Sequence, residues 1–169
     1  DRRSTLRTAV MFLDLDGFKE VNDMLGHESG DQVLTAMAKR IQQEMRETDT
    51  TARIGGDEFI IILSDLSEIL AVKTIAANII KQVSQPVPID QNEVTVSASI
   101  GIALYPDHGT TPDQLIRAAD KAMYAVKKSG KNNYGFASIN DPKDSTQKAI
   151  TLHGDQSMQN KLASDKTYH

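Results

Sequence analysis

The stretch "ARIGGDEFIIIL", Ala52 to Leu63, sets two adjacent glycines and two carboxylates between runs of β-prone residues. Glycine reaches positive φ without strain, so "TARI" and "FIIIL" on either side of Gly55 and Gly56 predict a β-hairpin with Asp57 and Glu58 at its tip. Upstream, "TAVMFLDLD" (Thr8 to Asp16) is a short apolar run ending in two acids, which predicts a buried strand with Asp14 and Asp16 at its carboxyl end. If the hairpin neighbours that strand in one sheet, Asp14, Asp57 and Glu58 converge. Clustered carboxylates repel one another, and a hard cation compensates them. Magnesium takes oxygen ligands, accepts one or two carboxylates and fills its shell with water and substrate phosphates. The pattern points to a nucleoside triphosphate, although the same four letters also describe a solvated turn.

Outward from these two segments the pattern alternates between helix and strand. It turns helical from Phe18, and Leu34, Met37, Ala38, Ile41 and Met45 recur at helical spacing, which predicts an amphipathic helix from about Asp31 to Glu47. Ile69, Val72, Ala76, Ile79 and Val83 mark another helix, ended by the Pro86 to Pro88 segment. In "VTVSASIGIAL", Val94, Val96, Ala98, Ile100, Ile102 and Leu104 alternate with small or polar residues, the pattern of a strand. "TPDQ" opens the last helix: Thr111 can cap it, Pro112 suits its first turn, Gln114 completes a capping box, and Gly130 is placed to end it. A short strand at "NYGFA" completes the order β-α-α-β-β-α-β-α-β, an α/β (α+β) arrangement with a mixed central sheet of about five strands flanked by helices.

With 169 residues, 39% of them hydrophobic, the chain suits one globular domain over 1–137, and the polar, unpatterned stretch 138–169 reads as a flexible tail or linker. A net charge of −4 offers no broad basic surface for a nucleic-acid polymer or an anionic membrane. The chain has no cysteine, which excludes disulfides and thiolate sites and fits a reducing cytoplasm. No apolar run approaches the roughly 20 residues of a membrane span, so no direct membrane contact is expected; any membrane anchor belongs elsewhere in a parent protein. The start "DRRSTLRT" resembles neither a signal peptide nor an initiator sequence, as expected of a piece of a longer chain.

Three blocks of the sequence resemble one family. Gly55, Gly56, Asp57, Glu58 and Phe59 match the signature of the GGDEF family of diguanylate cyclases; "DLDGFKEVNDMLGHESGDQVL" (Asp14 to Leu34) is similar to its DxDxFKxxND…GHxxGD pattern; and "ADKAMYAVKKSGKN" (Ala119 to Asn132) is similar to its closing helix. The resemblance implies a fold like that of nucleotide cyclases and the polymerase palm. It implies that two GTP molecules are joined into cyclic di-GMP with release of two pyrophosphates, each monomer of a homodimer holding one GTP. It further implies Mg2+, with Mn2+ as a possible substitute, held by Asp14, Asp57 and the backbone carbonyl of Leu15. Asp57 or Glu58 would help activate the ribose 3′-hydroxyl, a task that metal coordination also assists.

The same resemblance assigns the substrate contacts, and the chemistry of each residue suits its part. Gly56 lets backbone approach phosphate where a Cβ would intrude. Lys19, near the start of the first helix, can pair with triphosphate oxygens beside free N–H groups there. Asn22 and Asp31 match the guanine readers: an amide offers donor and acceptor, and a carboxylate accepts from the N1–H and N2–H2 pair that adenine lacks. N-capping of the second helix is the rival role for Asp31. His27 lies between them and supports the pocket, and Phe18 packs beneath the nucleotide or simply in the core. Lys127 and Lys131 match phosphate contacts, the second usually an arginine, whose bidentate fork lysine lacks; the rival role for both is complementing a helix dipole.

"RETD" puts Arg46 and Asp49 just upstream of the glycine pair and resembles the family's RxxD product-inhibition site, where cyclic di-GMP binds; the rival role is a salt bridge at a helix end. Asn78 stands where related proteins carry a further arginine. The family's "DxLTGLxNR" segment before the first strand is missing from this chain, which is expected to open one wall of the guanine pocket and slow the isolated fragment. The alternative to an enzyme is a regulatory module that binds GTP or cyclic di-GMP without turnover, and a third reading, a dimerisation platform, leaves the acid cluster unexplained.

Overall fold

A computed structural model describes residues 7–139. Of the expected tail over 138–169, residues 140–169 lie outside the described residues. Five strands form one sheet in the order β2 (Thr50–Gly55), β3 (Glu58–Leu66), β1 (Arg7–Asp16), β6 (Ser97–Tyr105) and β7 (Asn133–Phe136). All pairings are antiparallel except β6 with β7, which is parallel and makes the sheet mixed, as the sequence predicts. Helices α1 (Phe18–Leu25), α2 (His27–Gln43), α3 (Ile69–Val83) and α4 (Pro112–Lys128) connect and cover it. Among the described residues, no helix is long and apolar enough to cross a membrane.

The apolar run of β1 follows from its central place, because both of its faces are covered. Ala9, Met11 and Leu13 pack with Met37 and Ile41 of α2 and Ala76 and Ile79 of α3. Val10 and Phe12 point the other way, into a smaller cluster with Leu115, Ala119 and Met123 of α4. Period-two alternation thus sorts one strand between two apolar layers.

Strand β6 shows the same sorting with a different outcome. Ala98, Ile100, Ile102 and Leu104 enter the large cluster, and the small residues between them, Ser99, Gly101 and Ala103, are also buried. That second face meets α4 at close range, since a Cβ on Gly101 would run into the Ala119 carbonyl and the Met123 backbone. Small side chains there are the condition for helix-to-sheet contact.

Three boundaries differ from the sequence reading. Helix α2 spans His27–Gln43 rather than Asp31 to Glu47, entered from Gly26, so Asp31 lies within the helix and does not cap it. The expected strand from Val94 to Leu104 is divided: Val94 ends β5 (Asn92–Val94), which pairs with β4 (Val87–Ile89) in a separate two-stranded ribbon, and β6 begins at Ser97. The prolines around Val87 obscured that hairpin, yet Pro88 is tolerated because a two-stranded ribbon leaves one side of each strand unpaired. By contrast, the α4 capping box forms as read, with Gln114 N–H donating to Thr111 Oγ1 and Thr111 N–H donating to Gln114 Oε1, both at 3.3 Å.

Because the atoms facing Gly101 are backbone, they cannot rotate aside. Gly101→Ala is expected to lift α4 from the sheet and to lower unfolding stability by about 2 kcal/mol or more, seen as a fall in the urea midpoint; unchanged stability would show that α4 does not sit this close.

Candidate active site

The acids gather where β1 ends. Asp14 lies opposite Glu58 on one side and Ser99 on the other, and the Leu15 amide donates to the Asp57 carbonyl at 3.1 Å, fastening the hairpin tip against β1. Gly56, with φ +49, supplies the left-handed residue the turn needs. In a strand, the N–H and C=O of one residue face the same neighbour, so the Leu15 carbonyl is directed to the Asp57 side as well.

Asp14 and Asp57 compete for the same space. Burial and then the adjacent Asp14 charge push the Asp57 carboxyl up to about 6. Lys127, near the end of α4, answers the charge with its Nζ 2.6 Å from Asp14 Oδ2. Burial pulls the Lys127 ammonium down, but its bond to Asp14 and the charges of Asp14, Asp16 and Asp57 outweigh that and raise it. The other oxygen, Asp14 Oδ1, is buried with no hydrogen-bond partner. An orphaned buried carboxylate oxygen beside a second, destabilised carboxylate is a donor set suited to a hard divalent cation. No group of three His, Asp or Glu side chains is arranged to hold a metal among the described residues. Asp14 and Asp57 thus meet at the turn, and half-buried Glu58 opens β3 directly across from Asp14.

At the same end of the sheet, Gly17 turns β1 into α1 with φ +82 and leaves the helix start without a side-chain cap. Phe18 is buried in the main core, whereas Lys19 is exposed. Asn22 of α1 faces Gly30 of α2 so closely that a Cβ on Gly30 would collide with the Asn22 amide. His27 and Asp31 are exposed on the first turns of α2, and with Gly26 at the helix start, capping makes no claim on the Asp31 carboxylate. Sequence reasoning passed over Gly30, whose signal was its place in "GHESGD" between two expected guanine contacts.

Beyond α4 the chain turns through Ser129 and Gly130 to Lys131 and Asn132, both left-handed at φ 63 and 50. Lys131 is exposed. Asp16, also passed over, is 7% exposed and accepts hydrogen bonds from Ser97, Ser99 and the Asn132 amide. Its signal was the i, i+2 spacing to Asp14, which puts both acids on one face of β1.

Arg46 and Asp49 form a closed unit. The guanidinium donates to Asp49 Oδ2 at 3.0 Å and Oδ1 at 2.7 Å, the Arg46 amide also reaches Oδ2 at 2.9 Å, and Arg46 donates to the Ser64 carbonyl at 2.7 Å. Burial raises the Asp49 carboxyl, but the hydrogen bonds from Arg46 prevail and hold it below its ordinary value; Arg46 is raised, chiefly by its bond to Asp49. The rival salt-bridge role is thus realised, with the Asp49 side chain fully buried and that of Arg46 45% exposed.

Residues 1–133 match the family model described as "Diguanylate cyclase, GGDEF domain". The chain belongs to the GGDEF family. It is 48% identical over 134 residues to the bifunctional diguanylate cyclase/cyclic di-GMP phosphodiesterase MucR of Pseudomonas aeruginosa, covering 79% of this chain and 19% of MucR. It is 46% identical over 136 residues to the diguanylate cyclase TpbB of the same species, covering 80% of this chain and 31% of TpbB. The chain therefore spans about a fifth to a third of the length of these relatives. A solved form of TpbB comprising only its GGDEF domain superposes with a TM-score of 0.78 at 44% identity, covering 82% of this chain and 81% of that one. The palm-like α+β fold of GGDEF domains is the fold of this chain.

For this GGDEF domain without metal, the raised Asp57 value fixes the sign of a pH effect. The stability contributed by Asp57 is fully present below the ordinary value of 3.8 and is lost as pH rises through about 6. At pH 7 to 8, Asp57→Asn should be the more stable protein by about 1 kcal/mol, a figure reduced for partial exposure, with the gap closing below pH 4. Added Mg2+ should stabilise the parent and not the variant. Equal thermal midpoints across this range would contradict the Asp14–Asp57 confrontation. Separately, Gly30→Ala should displace the Asn22 amide, seen as a shift of its side-chain NH2 resonances, with unfolding stability lowered by less than about 1 kcal/mol.

Proposed function

We propose that this GGDEF domain is a diguanylate cyclase that condenses two GTP molecules into cyclic di-GMP with release of two pyrophosphates. The observation that carries the reading is the Asp14–Asp57 pair at the glycine tip, with one oxygen buried and unpartnered, in a chain that carries the family signature. Asp14, Asp57 and the Leu15 carbonyl would hold Mg2+, or Mn2+ in its place. When bound, the ion lowers the pKa of a coordinated hydroxyl and neutralises phosphate charge.

The remaining work falls to the chain's own groups. Asp57 or Glu58 accepts the proton of the ribose 3′-hydroxyl as its oxygen attacks the α-phosphorus of the other GTP; that P–O bond forms as the bond to pyrophosphate breaks. The transfer occurs twice, once in each direction, so two domains must face one another and the active form is a homodimer. Lys19 and the uncapped N–H groups of α1 meet the phosphates from one side, Lys127 and Lys131 from the other. Lys127 is paired with Asp14, and a cation at Asp14 would free its ammonium for phosphate. Asp31 and Asn22 read the guanine, with His27 and Phe18 supporting the pocket and Gly56 keeping the tip bare.

Arg46 and Asp49 are the proposed product-inhibition site. The pair is already joined, so cyclic di-GMP would dock on a preformed guanidinium, half of it exposed, without the help that an arginine at Asn78 would give. The cytoplasm is the compartment that holds GTP and is the proposed location.

The test is GTP turnover with Mg2+ by the domain joined to a dimeric helical partner, with the product identified by mass. The parent should yield cyclic di-GMP, and Asp57→Ala and Glu58→Ala should each lower the rate at least a hundredfold. Magnesium-dependent GTP binding without product would favour a regulatory binding module, and no binding at all would exclude both.

A further inference from the structure

Two acids on one face of β1 have opposite surroundings. Asp14 keeps an oxygen without a hydrogen-bond partner, whereas both oxygens of Asp16 accept hydrogen bonds. Its Oδ2 accepts from Ser97 Oγ at 2.8 Å and from the Asn132 amide at 3.1 Å; its Oδ1 accepts from Ser99 Oγ at 2.8 Å and lies 3.7 Å from Lys127 Nζ. The donors come from β6 and from the turn after α4, and α4 itself adds the charge of Lys127. A metal ion at Asp16 would have to compete with two serine hydroxyls, a backbone amide and the nearby charge of Lys127.

We propose that Asp16 is a positioning residue that anchors the lysine-bearing end of α4 and its following turn for triphosphate binding, and that it is not a metal ligand. The inference rests on the nucleotide reading above in taking Lys127 and Lys131 as phosphate contacts. Its structural part stands on the turn. Lys131 and Asn132 are consecutive non-glycine residues in the left-handed region, a conformation that side chains disfavour and that must be held from outside. Two bonds hold it: the Lys131 amide donates to the Val126 carbonyl at 3.1 Å, and the Asn132 amide donates to Asp16. Lys131 is thereby clamped between the end of α4 and the end of β1, and the same carboxylate limits the reach of Lys127.

Asp16→Asn tests this with little change of shape. An amide keeps one acceptor oxygen, neutral and therefore weaker, and replaces the other with an NH2 that must face either the Asn132 N–H or the Lys127 ammonium, neither of which can accept; the serine hydroxyls can rotate to suit it. Three quantities are to be measured: exchange of the Asn132 amide by NMR, affinity for a non-hydrolysable GTP analogue with Mg2+, and Mn2+ affinity without nucleotide by electron paramagnetic resonance. We expect Asn132 exchange to quicken about tenfold or more and analogue affinity to fall about tenfold, with Mn2+ affinity kept within about threefold. A loss of Mn2+ affinity as large as that of Asp14→Asn would overturn the proposal, as would unchanged analogue affinity or unchanged exchange. If Asp16→Asn does not fold, Ser97→Ala with Ser99→Ala keeps the carboxylate and removes two of its donors. The same directions with smaller changes are then expected, and no change in exchange or affinity overturns the proposal. A parent protein that fails to bind the analogue sinks the nucleotide reading; a parent that binds it no better than Asp16→Asn sinks this inference alone.

Discussion

The confrontation of Asp14 with Asp57 is the constraint on which the site depends. Like charges do not approach one another in a half-buried place unless the backbone forces them to, and here it does: the β1–β3 register brings the hairpin tip to the end of β1, and the Leu15–Asp57 hydrogen bond holds it there. The electrostatic cost is partly met by Lys127 and partly stored as an elevated Asp57 carboxyl and an unsatisfied Asp14 oxygen. A site that is imperfect in isolation is primed for the ligand that completes it, because the ligand then recovers energy that the fold has already spent.

That geometry is fixed by the layers around it. The acids stand at the end of a strand covered on both faces, so neither can retreat by moving β1. Lys127 is delivered by α4, and α4 is delivered by the bare surface of β6 at Gly101. The position of one ammonium thus depends on the absence of one methyl group a few turns away. Asp16 closes the circuit by joining β1, β6 and the turn after α4 at a single carboxylate.

Much of this was legible from local pattern. Apolar runs, glycine pairs and the α4 capping box encode their own geometry through φ preferences and neighbouring hydrogen bonds, so most elements were placed correctly. The start of α2 was missed because its entry from Gly26 carries no side-chain cap. The ribbon of β4 and β5 was missed because its prolines argue against a strand unless one side is known to be unpaired. Arg46 and Asp49 could be read equally well as a ligand pair or a salt bridge, and only the placement of Ser64 beside them shows how tightly the unit is closed.

The sequence by itself determined the family, the order of the principal elements and which residue types are present to bind a metal, phosphates and guanine, because these are carried by short segments whose chemistry is local. Only the tertiary structure decided which acids oppose each other, which lysine answers them, and that one Asp14 oxygen lacks a hydrogen-bond partner while both Asp16 oxygens have one. Those outcomes depend on strand register and on the packing of α4 against β6, which bring together residues as distant as Asp16 and Asn132. Spacing along a chain records what a residue can do, and burial with its partners decides which of those things it does.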